Sequence, residues 1–190
     1  QLLRELAAAT EGPLDAAAVT RVFREIVSAC LALEQPLAVA YLGPAGTFTQ
    51  AAVYRHFGRS IETRPLAAID EVFREVAAGT AQFGVVPVEN STEGMVTHTL
   101  DVFMQSNLRI CGEVLLRVHH HLVASGDDTP AIKTVYLHQQ SFAQCREWLD
   151  ANLANAQRVA VSSNAEAARR VAEEPGTGAI APAMAAEIYG

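Results

Sequence analysis

From Pro36 to the end of the chain, short apolar runs that stop at glycine, proline or polar residues alternate with stretches of helical period. Leu37 to Leu42 is an apolar run ending in Gly43-Pro44, and Thr47 to Phe57 reads as a helix closed by Gly58. Ile61 to Pro65 is extended, Ile69 to Ala78 is helical with Gly79 behind it, and Phe83 to Val88 is extended again. Met95 to Gln105 is helical, and Leu108 to Ala124 is a long β-rich stretch with a bend near Gly112. Three further short strands, Thr134 to Leu137, Arg158 to Ser162 and Gly178 to Ala181, are each followed by a helix: Ser141 to Leu153, Ala165 to Glu173 and Ala183 to Tyr189. Strands that each lead into a helix pair in parallel when the helices cross the faces of the sheet. An α/β fold with a mostly parallel sheet covered on both sides is therefore expected. Gly126 to Pro130 is the most turn-rich stretch and reads as a loop; no internal repeat or low-complexity tract interrupts the pattern.

Ahead of Pro36 the texture differs. Val19, Val22, Phe23, Ile26, Val27, Cys30 and Leu31 fall at the i, i+3, i+4, i+7 spacing of one helical stripe, with Asp15 as N-cap after the Gly12-Pro13 break. So wide an apolar face needs neighbours, yet this stretch offers only the short Leu2 to Ala9 segment, so the partners are expected upstream or on another chain. The chain opens at Gln1 inside a helix-like Leu2, Leu3, Leu6 pattern and stops at Tyr189-Gly190 just after a helix, so both ends read as cuts in a longer protein.

Composition narrows the function. At 190 residues, half of them apolar, the chain holds one full domain plus a remainder. Its net charge of -7 repels phosphate backbones and anionic lipid, so nucleic acid is not an expected partner. No window resembles a membrane span or a secretion signal, so no membrane partner is expected. Cys30, Cys111 and Cys145 are odd in number and lack C-x-x-C spacing, which argues against a disulfide framework and a zinc knuckle and suits a reducing cytoplasm.

Open α/β sheets bind ligands at the carboxyl ends of their strands, where helix N-termini point amide groups outward. The strand-to-helix junctions here read Gly43-Pro44-Ala45-Gly46-Thr47, Glu89-Asn90-Ser91-Thr92-Glu93-Gly94, His138-Gln139-Gln140-Ser141, Ser162-Ser163-Asn164 and Ala181-Pro182. Neutral hydroxyls, amides and main-chain N–H groups suit a small carboxylate anion without the penalty of burying several lysines. The same Ser, Thr and Asn residues are also ordinary N-caps. The first junction has neither dinucleotide-binding glycine spacing nor a P-loop lysine. His119, His120 and His121 alternate sides on an extended chain, so at most two share a face and packing is favoured over a metal site. Cys145, beside Trp148 and Leu149, reads as a buried inert thiol.

Taken together, Tyr41-Leu42-Gly43-Pro44-Ala45-Gly46-Thr47-Phe48, then Val86-Pro87-Val88-Glu89-Asn90-Ser91 with Glu93-Gly94 and Leu100-Asp101, then His138-Gln139-Gln140 leading to Gln144-Cys145, and Ser163-Asn164-Ala165-Glu166-Ala167-Ala168 resemble prephenate dehydratase. The resemblance runs from residue 38 to 190. Residues 1–35 resemble the last helical part of the chorismate mutase domain that precedes it in bacterial bifunctional proteins, so domains at 1–35 and 36–190 are expected. Glu34 matches the position where the mutase family places a Gln or Glu near the ether oxygen of its substrate.

The resemblance implies a two-lobed fold like a type II periplasmic binding protein with prephenate in its cleft. It also implies a reaction in which prephenate loses CO2 and its ring hydroxyl to give phenylpyruvate. Aromatisation drives that step, so neither cofactor nor metal is expected; the protein positions a dianion and helps hydroxide leave by protonation. Carried over position by position, Glu89, Asn90, Gln144 and Ser163 are the expected catalytic residues, and Gly46, Thr47, Ser91, His138, Gln140, Asn164 and Ala165 line the substrate. His138-Gln139-Gln140 replaces the common His-Pro-Gln, and Ser163-Asn164-Ala165-Glu166 replaces Ser-Thr-Ala-Glu; both keep an amide or hydroxyl. The family's Thr-Arg-Phe motif and its phenylalanine-binding regulatory ACT domain are expected beyond Gly190, so these residues alone are expected to be inactive. A homodimer is expected from the mutase resemblance. The other readings are a non-catalytic bilobal module binding a small anion and a variant acting on arogenate.

Overall fold

The computed structural model describes residues 1–34, 36–124 and 132–189; the loop expected at Gly126 to Pro130 lies outside them. The chain divides into two compact units, one formed by residues 1–42 and 52–114 and the other by residues 43–51 and 115–190.

In the first unit, β1 (Ala38–Leu42) lies between β2 (Glu62–Leu66) and β3 (Phe83–Val85), and both pairings are parallel. Ala38, Val39, Ala40 and Tyr41 are all buried, as the central strand of a parallel sheet covered on both faces requires. Pro65, which cannot donate to a ladder, sits on edge strand β2 opposite Tyr41. The helix α4 (Ile69–Ala77) buries Ile69, Val72 and Phe73. It crosses β3 at Gly84, where a Cβ would come within 2.8 Å of the Val72 Cγ1. The helix α3 (Phe48–Phe57) begins in the second unit and ends in the first.

Two N-terminal helices, α1 (Leu2–Ala8) and α2 (Ala16–Glu34), belong to the first unit. Asp15 caps α2 as expected, its Oδ1 accepting from the Ala18 N–H at 2.6 Å. The apolar stripe is not the buried side: Val22, Ile26 and Leu31 are each about half exposed, and Ser28 is the buried residue of the helix. Ser28 faces the turn after α3, where Gly58 at φ +82 leaves no room for a side chain, a Cβ there falling 2.5 Å from that of Ser28. The Ser28 Oγ accepts from the Ser60 N–H and a Glu25 carboxylate oxygen from the Arg59 N–H, so polar atoms hold this face of α2.

The segment expected as one strand from Phe83 to Val88 is shorter and is followed by a hairpin of β4 (Glu89–Asn90) and β5 (Gly94–Met95), with Glu89 opposite Met95 and Asn90 opposite Gly94. The expected helix from Met95 to Gln105 accordingly begins later, as α5 (Thr97–Met104). The fully buried Thr99 donates its hydroxyl to the Pro87 carbonyl and ties this helix to the chain entering the hairpin.

The second unit carries a four-stranded sheet of order β6 (His121–Ala124), β9 (Thr177–Ala181), β7 (Thr134–His138), β8 (Gln157–Val161). The three strands β9, β7 and β8 run parallel, while β6 is antiparallel to β9. Helices α6 (Gln139–Asn152), α7 (Asn164–Glu173) and α8 (Ala183–Tyr189) follow β7, β8 and β9 in turn. Ile132, Val135, Leu137, Leu149, Leu153 and Ile180 pack as one core cluster, and Tyr136, Ala167, Val171 and Ala179 as another. The long β-rich stretch expected from Leu108 is strand only from His121 onward. Residues 107–120 have no neighbouring strand to complete a ladder among the described residues, and Ile110 and Leu115 are largely exposed.

Candidate active site

Parallel strands β7, β8 and β9 all end on the same edge of the second sheet, and the first residue of β6, His121, pairs with Ala181 on that edge too. The junctions that leave it are therefore neighbours. Asn164, the first residue of α7, reaches to the start of α6: its Oδ1 accepts from the His138 N–H at 2.9 Å, and its amide brackets the buried Ser141 Oγ at 2.7 and 3.0 Å. The glycine loop joins the same cluster, because a Cβ on Gly46 would lie 3.2 Å from the Ala185 Cα and 3.4 Å from the Ala165 Cβ. With φ at +83, Gly46 has both the backbone and the close approach that only glycine allows.

Capping accounts for part of this chemistry. The Ser163 Oγ accepts from the Glu166 N–H at 3.0 Å, the Thr47 Oγ1 from the Gln50 N–H at 3.4 Å and the His138 Nδ1 from the Gln140 N–H at 3.4 Å. The Gly46 N–H is taken by the Gln50 Oε1 at 2.7 Å, so this amide is occupied within the loop. A hydroxyl that accepts still carries a proton to donate, so the Ser163 cap does not remove it as an anion donor. Because Ser163 caps Glu166, the N–H groups of Asn164 and Ala165 are the ones that helix geometry leaves without an intrahelical acceptor. Asn164 itself is a stitch between helices; its side-chain oxygen and nitrogen both serve α6.

Gln140 and Gln144 lie on the exposed side of the first turns of α6. The Gln144 Oε1 is 2.6 Å from the His120 Nε2, and the His120 ring meets Phe48 edge-on, with centroids 5.7 Å apart. Neither His120 nor Phe48 was singled out from sequence as a site residue. The only hint for His120 is parity: it is half-buried, whereas His119 and His121 are exposed. No group of His, Cys, Asp and Glu among the described residues is arranged to hold a metal ion. Burial pushes the Cys145 thiol up, which keeps it neutral and suits a packing role.

The remaining expected residues belong to the first unit. Glu89 and Ser91 are exposed on the hairpin and Asn90 is half-buried, its Oδ1 accepting from the Thr92 N–H at 2.9 Å. Glu34 ends α2 in an exposed position. One ion cluster flanks the second-unit junctions: Arg169, and with it Arg170, holds the Glu166 carboxyl at about 2, well below its ordinary 4.5.

Comparison with known proteins agrees with this architecture. Residues 39–190 match the prephenate dehydratase family. A bifunctional chorismate mutase/prephenate dehydratase of Stutzerimonas stutzeri is 60% identical over 190 residues, which are 100% of this chain and 52% of that protein. The chain thus spans about half the length of the curated relatives it matches. Among solved structures, the prephenate dehydratase of Arthrobacter aurescens in complex with L-Phe superposes with a TM-score of 0.73 at 37% identity, covering 80% of this chain and 52% of that one. GqqA, described as a novel type of quorum quenching acylase, superposes with a TM-score of 0.72 at 26% identity, covering 80% of this chain and 56% of that one. A family match over most of its length and a relative so similar along all of it show that the chain belongs to the prephenate dehydratase family.

Proposed function

We propose that the protein of which this chain is part converts prephenate to phenylpyruvate by decarboxylating dehydration, and that it also carries a chorismate mutase. The observation that carries this reading is the gathering of the junctions at Gly46, His138 to Ser141 and Ser163 to Ala165 on one strand-end edge, with the Ser163 hydroxyl and the Asn164 and Ala165 N–H groups as neutral donors. Such an edge suits the carboxylates of a dianion, since fixed dipoles need no reorganisation when charge shifts during C–O and C–C cleavage. Glu89, Asn90, Gln144 and Ser163 are the residues assigned to the reaction. Gly46, Thr47, Ser91, His138, Gln140 and Ala165 are assigned to binding, and Asn164 to both binding and support. Leaving-group protonation falls to a residue outside this chain.

In this reading residues 1–35 are the end of the mutase domain, with Glu34 at its site, and residues 36–190 are dehydratase. The half-exposed Val22, Ile26 and Leu31 support a homodimer through the mutase helices. Phenylalanine acts through a further regulatory domain. No described helix is long and apolar enough to cross a membrane, and Cys30, Cys111 and Cys145 are free thiols, both compatible with a cytoplasmic enzyme. The test is turnover of prephenate by the full-length protein, followed as phenylpyruvate. Asn90→Ala is expected to lower kcat about a hundredfold, as loss of one oriented donor does. No turnover by the intact protein would end the proposal, and full activity of Asn90→Ala would end the assignment of that residue.

A further inference from the structure

We propose that His120 is a positioning residue that fixes the amide of Gln144 with its NH2 group turned toward a substrate carboxylate. This rests on the reading of Gln144 as a substrate contact. His120 directly precedes β6, whose first residue pairs with the end of β9, so its ring stands at the strand-end edge where the junctions gather. Phe48 holds the plane of the ring by an edge contact at 82°. The His120 Nε2 is 2.6 Å from the Gln144 Oε1, while its Nδ1 is buried and has no hydrogen-bond partner among the described residues.

The chemistry follows from the buried nitrogen. A neutral imidazole carries one donor and one acceptor. A proton on Nδ1 would be a buried donor without an acceptor, which is penalised more than an unused lone pair. The proton therefore sits on Nε2, and Nε2–H donates to Gln144. An amide whose oxygen faces a donor has its NH2 group on the other side. Rotating it by half a turn would set NH2 against Nε2–H and present the oxygen, an acceptor, to a carboxylate that also only accepts. His120 thus decides which end of Gln144 an anion meets, without touching the anion itself.

A double-mutant cycle in the full-length protein tests this, with kcat/KM for prephenate as the readout. Gln144→Ala is expected to lose roughly ten- to hundredfold, as for a hydrogen bond to a charged group. His120→Phe, which keeps an aromatic ring against Phe48, is expected to lose about tenfold or more, and the double variant no more than Gln144→Ala alone. Gln144→Glu has no NH2 and repels a carboxylate, so it reports on the Gln144 contact alone and is expected to be as impaired as Gln144→Ala; His120→Leu, which also lacks a donor, is expected to match His120→Phe and carries the test if that variant does not fold. Near-normal His120→Phe beside an impaired Gln144→Ala, or losses that multiply in the double variant, would overturn the inference while leaving the site reading intact. A fully active Gln144→Ala or Gln144→Glu would remove both.

Discussion

The two segments assigned to the substrate are built in opposite ways. The hairpin from Glu89 to Met95 in the first unit is short, exposed and held by neighbours in sequence, the Asn90 to Thr92 bond spanning two residues. The junctions of the second unit are held by side chains distant in sequence: Asn164 grips His138 and Ser141, Gln144 meets His120, and Ala185 closes on Gly46. Local bonds can open one at a time at little cost, whereas the stitched junctions must move together. The second-unit junctions are thus a fixed set of polar groups, and the first-unit hairpin is a more adaptable one.

The largest effect that would sharpen this contrast is on stability. Asn164→Ala leaves the His138 N–H and the buried Ser141 hydroxyl without their partner, and is expected to destabilise the second unit by about 2–4 kcal/mol. Asn90→Ala frees an N–H on exposed Thr92, which water can serve, and is expected to cost under about 1 kcal/mol. Native-state hydrogen exchange of β7 and β3 amides in the full-length protein measures both; equal losses would erase the distinction.

A smaller effect comes from two glycines with nearly the same backbone, Gly46 at φ +83 and Gly94 at φ +81. Nothing lies within 4 Å of a Cβ on Gly94, so Gly94→Ala is expected to cost only the backbone penalty of about 1 kcal/mol. Gly46→Ala adds crowding against Ala185 and is expected to cost about 2 kcal/mol or more. Denaturant midpoints of the two variants, compared side by side, check the order.

The smallest effect is a pH dependence confined to the second unit. The Glu166 carboxyl is held down at about 2 by Arg169 and Arg170, so its contribution is complete above its ordinary 4.5 and is lost as pH falls through 2. Glu166→Gln is therefore expected to flatten part of the acid-induced loss of stability of α7 between those values. An unchanged acid profile in Glu166→Gln would show that the ion cluster contributes nothing.

How far the sequence could be read follows the same division. Buried parallel strands such as β1 and β7 are legible because β1 is apolar throughout and β7 from Val135 to Leu137, and each run stops at polar or turn residues, so the strand-to-helix junctions follow from them. The hairpin after Val88 was not, since a two-residue ladder leaves no period to detect. The contact of α2 with Gly58 is not legible, because it runs through Ser28 and Glu25, while period marks only the apolar stripe. The stretch before His121 has strand-like composition, but composition does not supply a neighbour. The meeting of His120 with Gln144 depends on the register of β6 against β9, which no local pattern encodes.

The most direct test of the anion platform is hydrogen exchange of the full-length protein carrying Asn90→Ala, with and without prephenate. Slower exchange at the Gln139, Asn164 and Ala165 amides, with the first-unit sheet unchanged, is the predicted result. Unchanged exchange at those amides with saturating prephenate would contradict the account.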